Sequence, residues 1–295
     1  MMTMFLILLA ILLFGIQPVA MKKIPVSSLR VNILQTGTFS GVIAVCFWIW
    51  GIISGIRISS LTFWYGILFG AVLVATISCY YYAMHTGPLS YTSFFYSASM
   101  VIPSLAGVLI WNDEFRWTAG VGIVMFLAAF YLISVPGSRK SGGGNRKWLL
   151  LCLATWLLNG SLSVIVKAQQ MAMEGEEVSS MTTVAFSSAF VFSFAAYFIL
   201  TFSSGKSEEI RSDFLGLQSA ALPLLALAAG NGGGNLTVTY LASRVSSAYL
   251  YPAVLGGMMV AVTAYSVLAL KEKVNRYGIA GLLTGIAALV VLNIP

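Results

Sequence analysis

The chain has 295 residues, of which 59% are apolar and only 8% are charged. Because average globular domains carry roughly 25% charged residues, this composition argues against a soluble domain. The net charge is +7, but the 16 Lys and Arg are scattered between apolar segments without a long basic stripe, so the charge is better explained by membrane loops than by nucleic-acid binding.

The apolar runs predict ten membrane helices, since each helix needs about 20 largely apolar residues. A long third run, Ile58–Asn112, is divided at Gly87-Pro88, because Gly and Pro together interrupt helices. We therefore predict an all-α polytopic membrane protein. The other charge-free runs are Met1–Ala20, Val31–Ile56, Trp117–Val135, Trp148–Val166, Val178–Leu200, Phe214–Ser243, Val245–Leu270 and Tyr277–Ile294.

A polar, Gly-rich stretch at residues 137–147 has the composition of a linker. It leaves five predicted helices on each side, so we expect two repeats, at 1–136 and 148–295. Because five is an odd number, homologous halves must lie in the membrane with opposite orientations. The fold prediction is therefore a 5+5 inverted repeat, an architecture common among transporters.

Two alignments of the halves support the repeat. The first overlays helices one and six and matches residues spaced i, i+4 and i+7, which share one helix face. The second has an offset of 158 residues and matches polar residues near the ends of each half. The main matches are Gly15 with Gly160, Val19 with Val164, Lys22 with Lys167, Tyr82 with Tyr240, and Glu114 with Glu272.

The same residues carry a family resemblance. A Gly and a Lys close the first helix of each half, Tyr81–Ser90 reads Tyr-x-Ala-x-x-x-Gly-Pro-x-Ser, and the last helix is rich in Gly from Gly278 onward. The chain resembles the drug/metabolite transporter superfamily, specifically its ten-helix EamA-like members. This resemblance implies transport around a central cavity between the halves, and it says almost nothing about the substrate.

Loop charges predict the orientation of the chain in a cell membrane, which we expect to be of the bacterial plasma-membrane type. Loops after odd-numbered helices hold twelve Lys and Arg, and loops after even-numbered helices hold four. The positive-inside rule therefore puts the odd loops in the cytoplasm and both termini outside. The family resemblance implies the opposite orientation, with cytoplasmic termini. We favour the charge count because its bias is spread over several loops.

No Asp or Glu lies inside an apolar run, so amides, hydroxyls and aromatic rings are the candidates for a binding site. Two amides lie in the Gly-rich segment of helix eight, where glycine allows either close helix packing or a local helix break. Two more lie beside the matched glycines of helices one and six. The predicted substrate-binding residues are Gln17, Tyr80, Phe94, Ser97, Asn159, Asn231 and Asn235.

Each candidate also has a structural interpretation. The amides could form hydrogen bonds between helices, and the aromatic rings could belong to a belt at the membrane interface. Lys22 and Lys167 end their helices, where they could bind an anionic group or extend to the lipid headgroups. The absence of a membrane carboxylate argues against proton antiport of cationic drugs, although aromatic rings could still bind a quaternary amine.

The sequence therefore predicts a secondary transporter of a small polar metabolite, of the amino acid, sugar or amine class, that works by alternating access. The alternative is an exporter of aromatic or cationic drug-like compounds. A single His and no clustered carboxylates argue against an enzyme, and short loops argue against a scaffold. We expect a small-molecule substrate and the lipid bilayer as partners, with no metal, cofactor or nucleic acid. A coupling ion is left open, and a monomer is expected.

Overall fold

The computed structural model describes residues 2–24, 28–86, 89–114, 116–134, 146–268 and 276–292, and every regular element within these ranges is helical. A 3-10 turn at Ser207–Glu209 and a π-helical turn at Pro252–Gly256 join some of the helices. The helices are α1 (Met2–Lys23), α2 (Leu29–Ser54), α3 (Ser60–Thr86), α4 (Leu89–Ala98), α5 (Val101–Trp111), α6 (Trp117–Ser134), α7 (Arg146–Ala172), α8 (Val178–Ser203), α9 (Ile210–Ser219), α10 (Ala221–Ala242), α11 (Ser247–Tyr251), α12 (Gly257–Leu268) and α13 (Arg276–Leu292).

Five described helices are long and apolar enough to cross a membrane, namely α1, α2, α3, α7 and α8. A sixth is obtained when the segment around α9 and α10 is counted as one bent span. The prediction of an all-α, multi-pass membrane protein is confirmed at this level. The Gly87-Pro88 break and most of the predicted linker at 137–147 lie outside the described residues.

The fourth predicted span is broken into α4 and α5 at Ser99 and Met100. Pro103 explains the break, because proline has no backbone N–H and cannot complete the helical hydrogen bond to the carbonyl four residues earlier. A side chain from α7 stabilises this point. The Asn159 amide donates to the backbone oxygen of Tyr96 at 3.3 Å and to the Ser99 hydroxyl at 2.6 Å.

The eighth predicted span, Phe214–Ser243, is not one straight helix. The segment Ser207–Ser219, which contains α9, is bent by 71° against α10. Two of its side chains, Phe214 and Leu215, are exposed, and Asp213 faces the body of the protein. Helix α9 therefore carries both exposed apolar side chains and charged ones, which is typical of a helix that lies at a membrane surface.

The Gly-rich segment of α10 is continuous helix, so the interpretation as a local helix break is wrong. The glycines permit close packing against α1 instead. A Cβ atom on Gly230 would lie 2.6 Å from the backbone oxygen of Leu13, and one on Gly234 would lie 2.9 Å from the Phe14 ring. Any larger side chain would push α1 away, which explains why this segment is built from glycine.

Helix packing joins the two halves of the sequence. Helix α1 packs against α10 and α12, and α7 packs against α3, α4 and α5. Helix α2 packs against α8, α5 against α11, and α6 against α13. The largest apolar cluster accordingly contains Phe39 and Phe69 from the first half with Met181 and Phe186 from the second. Residues from both halves of the sequence therefore form the centre of the molecule.

The helix termini gather at two ends of the bundle. At one end, which we call the basic end, Arg30 of α2 contacts the segment after α8, and Lys23 of α1 lies near Leu222 of α10. The other end, which we call the opposite end, joins the termini of α3, α5, α7, α8 and α11.

Candidate functional site

A chain of amides connects α1 and α10 in the middle of the bundle. The Asn231 side-chain amide donates to Gln17 Oε1 at 3.2 Å. The Asn235 amide donates to Asn231 Oδ1 and to the Asn231 backbone oxygen, both at 2.9 Å. Asn231 is only 3% exposed, so burial of its amide depends on these hydrogen bonds.

Tyr96 of α4 extends this chain to two further helices. Its side chain hydrogen-bonds with Gln17, and its ring centroid lies 4.8 Å from that of Tyr80 on α3. Its backbone oxygen accepts the hydrogen bond from Asn159 of α7. We call these residues the central polar network: Gln17, Tyr80, Tyr96, Asn159, Asn231 and Asn235.

Five of the seven predicted site residues belong to this network, namely Gln17, Tyr80, Asn159, Asn231 and Asn235. Ser97 is buried at 3% exposure but makes no described hydrogen bond to the network. The side chain of Phe94 lies outside the described residues. The structure therefore brings the predicted amides together across both halves and adds Tyr96 of α4 to them, while the roles of Phe94 and Ser97 stay predictions.

The predicted site residues did not include Tyr96, and the sequence carries only a weak signal for it. Tyr80 and Tyr96 lie at nearly equal distances on either side of Gly87-Pro88. Two helices joined by a tight turn run antiparallel, so residues equidistant from the turn lie at the same depth. Phe94, Phe95 and Tyr96 all satisfy this condition about equally, so the spacing does not select Tyr96, and only the packing shows its contact with Tyr80.

The network is polar without being charged. It contains only amides and tyrosines, and each of these side chains can both donate and accept hydrogen bonds. Such groups bind a neutral or zwitterionic polar molecule by exchanging their mutual hydrogen bonds for hydrogen bonds to the ligand. Among the described residues, no group of three or more His, Cys, Asp or Glu comes together as a metal site would require.

A small void adjoins the network at Asn235. Its volume is about 10 Å³, which is room for about one water molecule. Polar and apolar groups from four helices form its walls, which puts the void between the two halves. The lining residues are Phe69, Val166, Met181, Thr182, Ala185, Phe186, Asn235 and Thr239.

The opposite end is closed by a buried ion pair. Lys167 Nζ lies 3.3 Å from Asp113 Oδ1, and the side chains are 3% and 11% exposed. The ammonium also donates to the Val245 backbone oxygen at 3.4 Å, and the Ser247 backbone N–H donates to Asp113 Oδ2 at 2.7 Å. Lys167 therefore neither reaches the headgroups nor remains free for an anionic ligand; it joins α7 to α5 and α11.

A second carboxylate fastens the same end. Glu177, just before α8, accepts hydrogen bonds from the Ser59 backbone N–H at 3.1 Å and from the Ser59 hydroxyl at 2.9 Å. Partial burial acts to raise the pKa of Glu177, but these bonds and one from Thr62 outweigh it, so the pKa lies below its usual range. The carboxylate thereby caps the start of α3.

The basic end has a different arrangement of charges. Arg30 of α2 pairs with Glu209 at 2.5 Å and with Asp213 at 3.0 Å, and the Tyr197 hydroxyl donates to Asp213 at 2.8 Å. Hydrogen bonding to Lys206, together with the charge of Arg30, lowers the pKa of Glu209. Since Glu209 is half exposed, part of this cluster is in contact with solvent.

A groove of about 350 Å³ lies between α1, α10 and α12 at the basic end. It does not include any residue of the central polar network, because its walls lie on another face of α1. Almost every wall is apolar. The lining residues are Ile11, Leu12, Gly15, Ile16, Val19, Ala20, Lys23, Leu222, Pro223, Ala226, Ala261, Val262 and Tyr265.

Several helices long and apolar enough to cross a membrane, sharing a buried polar centre, define a class, the multi-pass membrane proteins. Residues 1–135 match the model of the EamA-like transporter family. This match confirms the resemblance predicted from the sequence motifs. The matched segment is somewhat less than half of the 295 residues, so it shows what the first half of the chain is similar to.

One similar solved structure is described only as "Crystal structure of protein". It shares 16% sequence identity with this chain, the match covers 99% of this chain and 96% of that one, and the TM-score is 0.71. Similarity at this identity establishes the fold alone. No curated protein matches the chain significantly.

Proposed function

We propose that the protein is a secondary transporter of a small neutral or zwitterionic metabolite, of the amino acid, sugar or amine class. The observation that carries this proposal is the central polar network, in which amides from both halves meet in a buried, uncharged centre. A buried charge without a partner is costly, so a site without charged groups favours ligands whose own charges are absent or balanced.

The ten-helix inverted repeat is part of the same proposal. The described residues contain five or six long spans and four shorter apolar helical stretches, and we propose that the shorter ones also cross the membrane, which would make ten crossings. The packing also supports an exchange of the halves: α1 against α10 corresponds to α7 against α3, and α1 against α12 corresponds to α7 against α4 and α5. A twofold axis in the membrane plane generates these matched pairs.

Alternating access would then depend on the two ends of the bundle. With Lys167 paired to Asp113, the opposite end is closed and the central void is too small for a metabolite. Opening at one end and closing at the other would carry the substrate past Asn231 and Asn235. The excess of Lys and Arg at the basic end supports a cytoplasmic location for it in a cell membrane, with both termini outside.

A second candidate is export of aromatic or cationic compounds. The tilted rings of Tyr80 and Tyr96 favour it, since their centroids are 4.8 Å apart and such pairs can bind a flat ring or a quaternary amine. In this case the rings would supply most of the binding energy, and the amides would only orient the ligand.

The test is a thermal-shift panel on the purified full-length chain in detergent. The probes are amino acids, hexoses, choline and dicarboxylates, each with and without sodium, because a ligand that binds the folded state raises the melting temperature. The variants are Asn231→Ala with Asn235→Ala, Tyr96→Leu, and the exposed control Gln218→Ala. Flux of each hit is then followed in proteoliposomes.

We expect a hit among the amino acids or hexoses that the amide double variant abolishes and the control retains. A hit confined to choline, lost in Tyr96→Leu but retained in the amide variant, would establish the second candidate. Binding that survives both variants would contradict the location of the site.

A further inference from the structure

The groove at the basic end is independent of the proposed substrate site. Gln17 faces α4 and α10, whereas the neighbouring residues Ile16 and Val19 face the groove. Leu12 and Leu222 of its rim are 65% and 79% exposed, which means that they face the lipid in a membrane-spanning bundle. The groove therefore opens sideways into the bilayer.

The dimensions of the groove match one leaflet of a bilayer. Its wall on α1 extends from Ile11 to Lys23, which corresponds to about 18 Å at a rise of 1.5 Å per residue. Half of a hydrocarbon core of about 30 Å is about 15 Å. An extended hydrocarbon chain running along α1 from the membrane surface toward its middle would be accommodated over this length.

The mouth of the groove has a cation. Lys23 is exposed at the end of α1, and no acid among the described residues pairs with it. Two other basic residues at this end, Arg30 and Lys206, differ in this respect because both are paired with Glu209. The Tyr265 hydroxyl group in the lining adds a hydrogen-bond donor.

We propose that the groove is a binding site for an anionic phospholipid from the leaflet at the basic end. One acyl chain lies between α1 and α12, and the phosphate pairs with Lys23. The apolar walls contact the acyl chain, and the Lys23 ammonium at the mouth favours an acidic headgroup over a zwitterionic one.

The site would affect the relative position of α1 and α12. The two helices are in contact deeper in the bundle, where a Cβ atom on Gly257 would lie 2.5 Å from Ile11 and one on Gly15 would lie 3.9 Å from Val262. Toward the basic end they separate, and the groove fills the space between them. A bound acyl chain occupies this gap and keeps the helices apart at that depth.

The experiment uses the full-length chain in nanodiscs of phosphatidylcholine. These contain roughly 10–30% phosphatidylglycerol, which sets the negative charge of the surface. A trace of phosphatidylglycerol with a photoactivatable acyl chain is crosslinked, and the modified peptides are identified by mass spectrometry. We expect labels on the lining residues of α1, α10 or α12. Unlabelled phosphatidylglycerol should compete, and unlabelled phosphatidylcholine should compete much less.

Two variants test the assignment. Lys23→Gln should weaken retention of phosphatidylglycerol by about fivefold, the effect of one interfacial lysine, without changing retention of phosphatidylcholine. Lys147→Gln, an exposed lysine at the same end outside the groove, is the matched control. Val19→Trp fills the groove and should reduce labelling by the photoactivatable phosphatidylglycerol.

Equal retention in Lys23→Gln and wild type would overturn the headgroup assignment. Labels spread evenly over exposed positions such as Leu109 and Ile199 would overturn the site itself. If Val19→Trp fails to fold, Lys23→Gln can still be compared with wild type, because it leaves the apolar walls intact. None of these results depends on the identity of the transported substrate.

Discussion

The two ends of the bundle are held together by different means. At the opposite end, the Lys167–Asp113 pair is almost fully buried and joins three helices. At the basic end, the Arg30 cluster is open to solvent on its Glu209 side, and α1 and α12 are separated by a groove. Each end thus contains a buried ion pair, since Arg30 and Asp213 are also only 8% and 9% exposed, but the basic end adds a half-exposed partner, Glu209, and an open groove.

This difference is informative because the proposed inverted repeat would make the two ends chemically comparable. If both halves had the same conformation, the two ends would be packed alike. Lys22 and Lys167 match in the sequence alignment, yet the Lys167 end is closed while the helix of Lys22 borders a groove. Under the proposed alternating access, the difference between the ends corresponds to one conformational state.

The largest effect is expected from Lys167→Met. This change leaves the Asp113 carboxylate buried without its counter-ion, which typically destabilises a protein by about 3–5 kcal/mol. Thermal unfolding of the purified protein measures the loss. The double variant Lys167→Met with Asp113→Leu replaces the pair by apolar groups and should recover most of the stability. If single and double variants are equally unstable, the ion pair is not what closes this end.

A smaller effect is expected from Arg30→Met at the basic end. Glu209 can turn to solvent, and Asp213 keeps the hydrogen bond from Tyr197, so we expect a loss of about 1–3 kcal/mol. The same thermal assay applies, with Lys206→Met as an exposed control. A loss larger than that of Lys167→Met would reverse the comparison between the ends.

The sequence shows the charged residues of both ends, but it does not show which of them form ion pairs. Asp113 and Lys167 are 54 residues apart, at the ends of different helices, and each resembles an ordinary helix-end charge. Only the packing of α7 against α5 brings them together. Arg30 and Asp213 are likewise joined by the bend before α10, which the apolar run Phe214–Ser243 conceals.

The centre was more predictable than the ends. Amides such as Asn231 and Gln17 are conspicuous in apolar helices, because burial requires each of them to have a partner. The aromatic residues were harder to select, since α4 contains several within ten residues and helical phase alone does not decide which faces inward. The helix break near Pro103 changes that phase, which periodicity cannot anticipate.

Glu177 at the opposite end should have a smaller effect on stability, and this effect should depend on pH. Its pKa is lowered in the folded state, so the carboxylate stabilises the fold above the ordinary pKa of 4.5, and this contribution is lost as the pH falls through the folded value. Glu177→Gln should reduce stability by about 1 kcal/mol at pH 7. We expect the difference from wild type to shrink below pH 4.5. A constant difference would show that the charge is irrelevant there.

The smallest effect is expected from Lys23→Gln. In detergent without anionic lipid, removing this exposed charge should change stability by no more than about 0.5 kcal/mol. Lys147→Gln should behave identically under these conditions. A loss well above this value would indicate that Lys23 pairs with another part of the chain.

The small void beside Asn235 has a consequence for affinity. With room for about one water molecule, the centre must expand before a metabolite can enter, and the free energy of that expansion is subtracted from the binding contacts. The apparent dissociation constant therefore reports both chemical fit and the population of expanded molecules. A substitution that loosens a helix contact far from the amides would then tighten binding without touching the ligand.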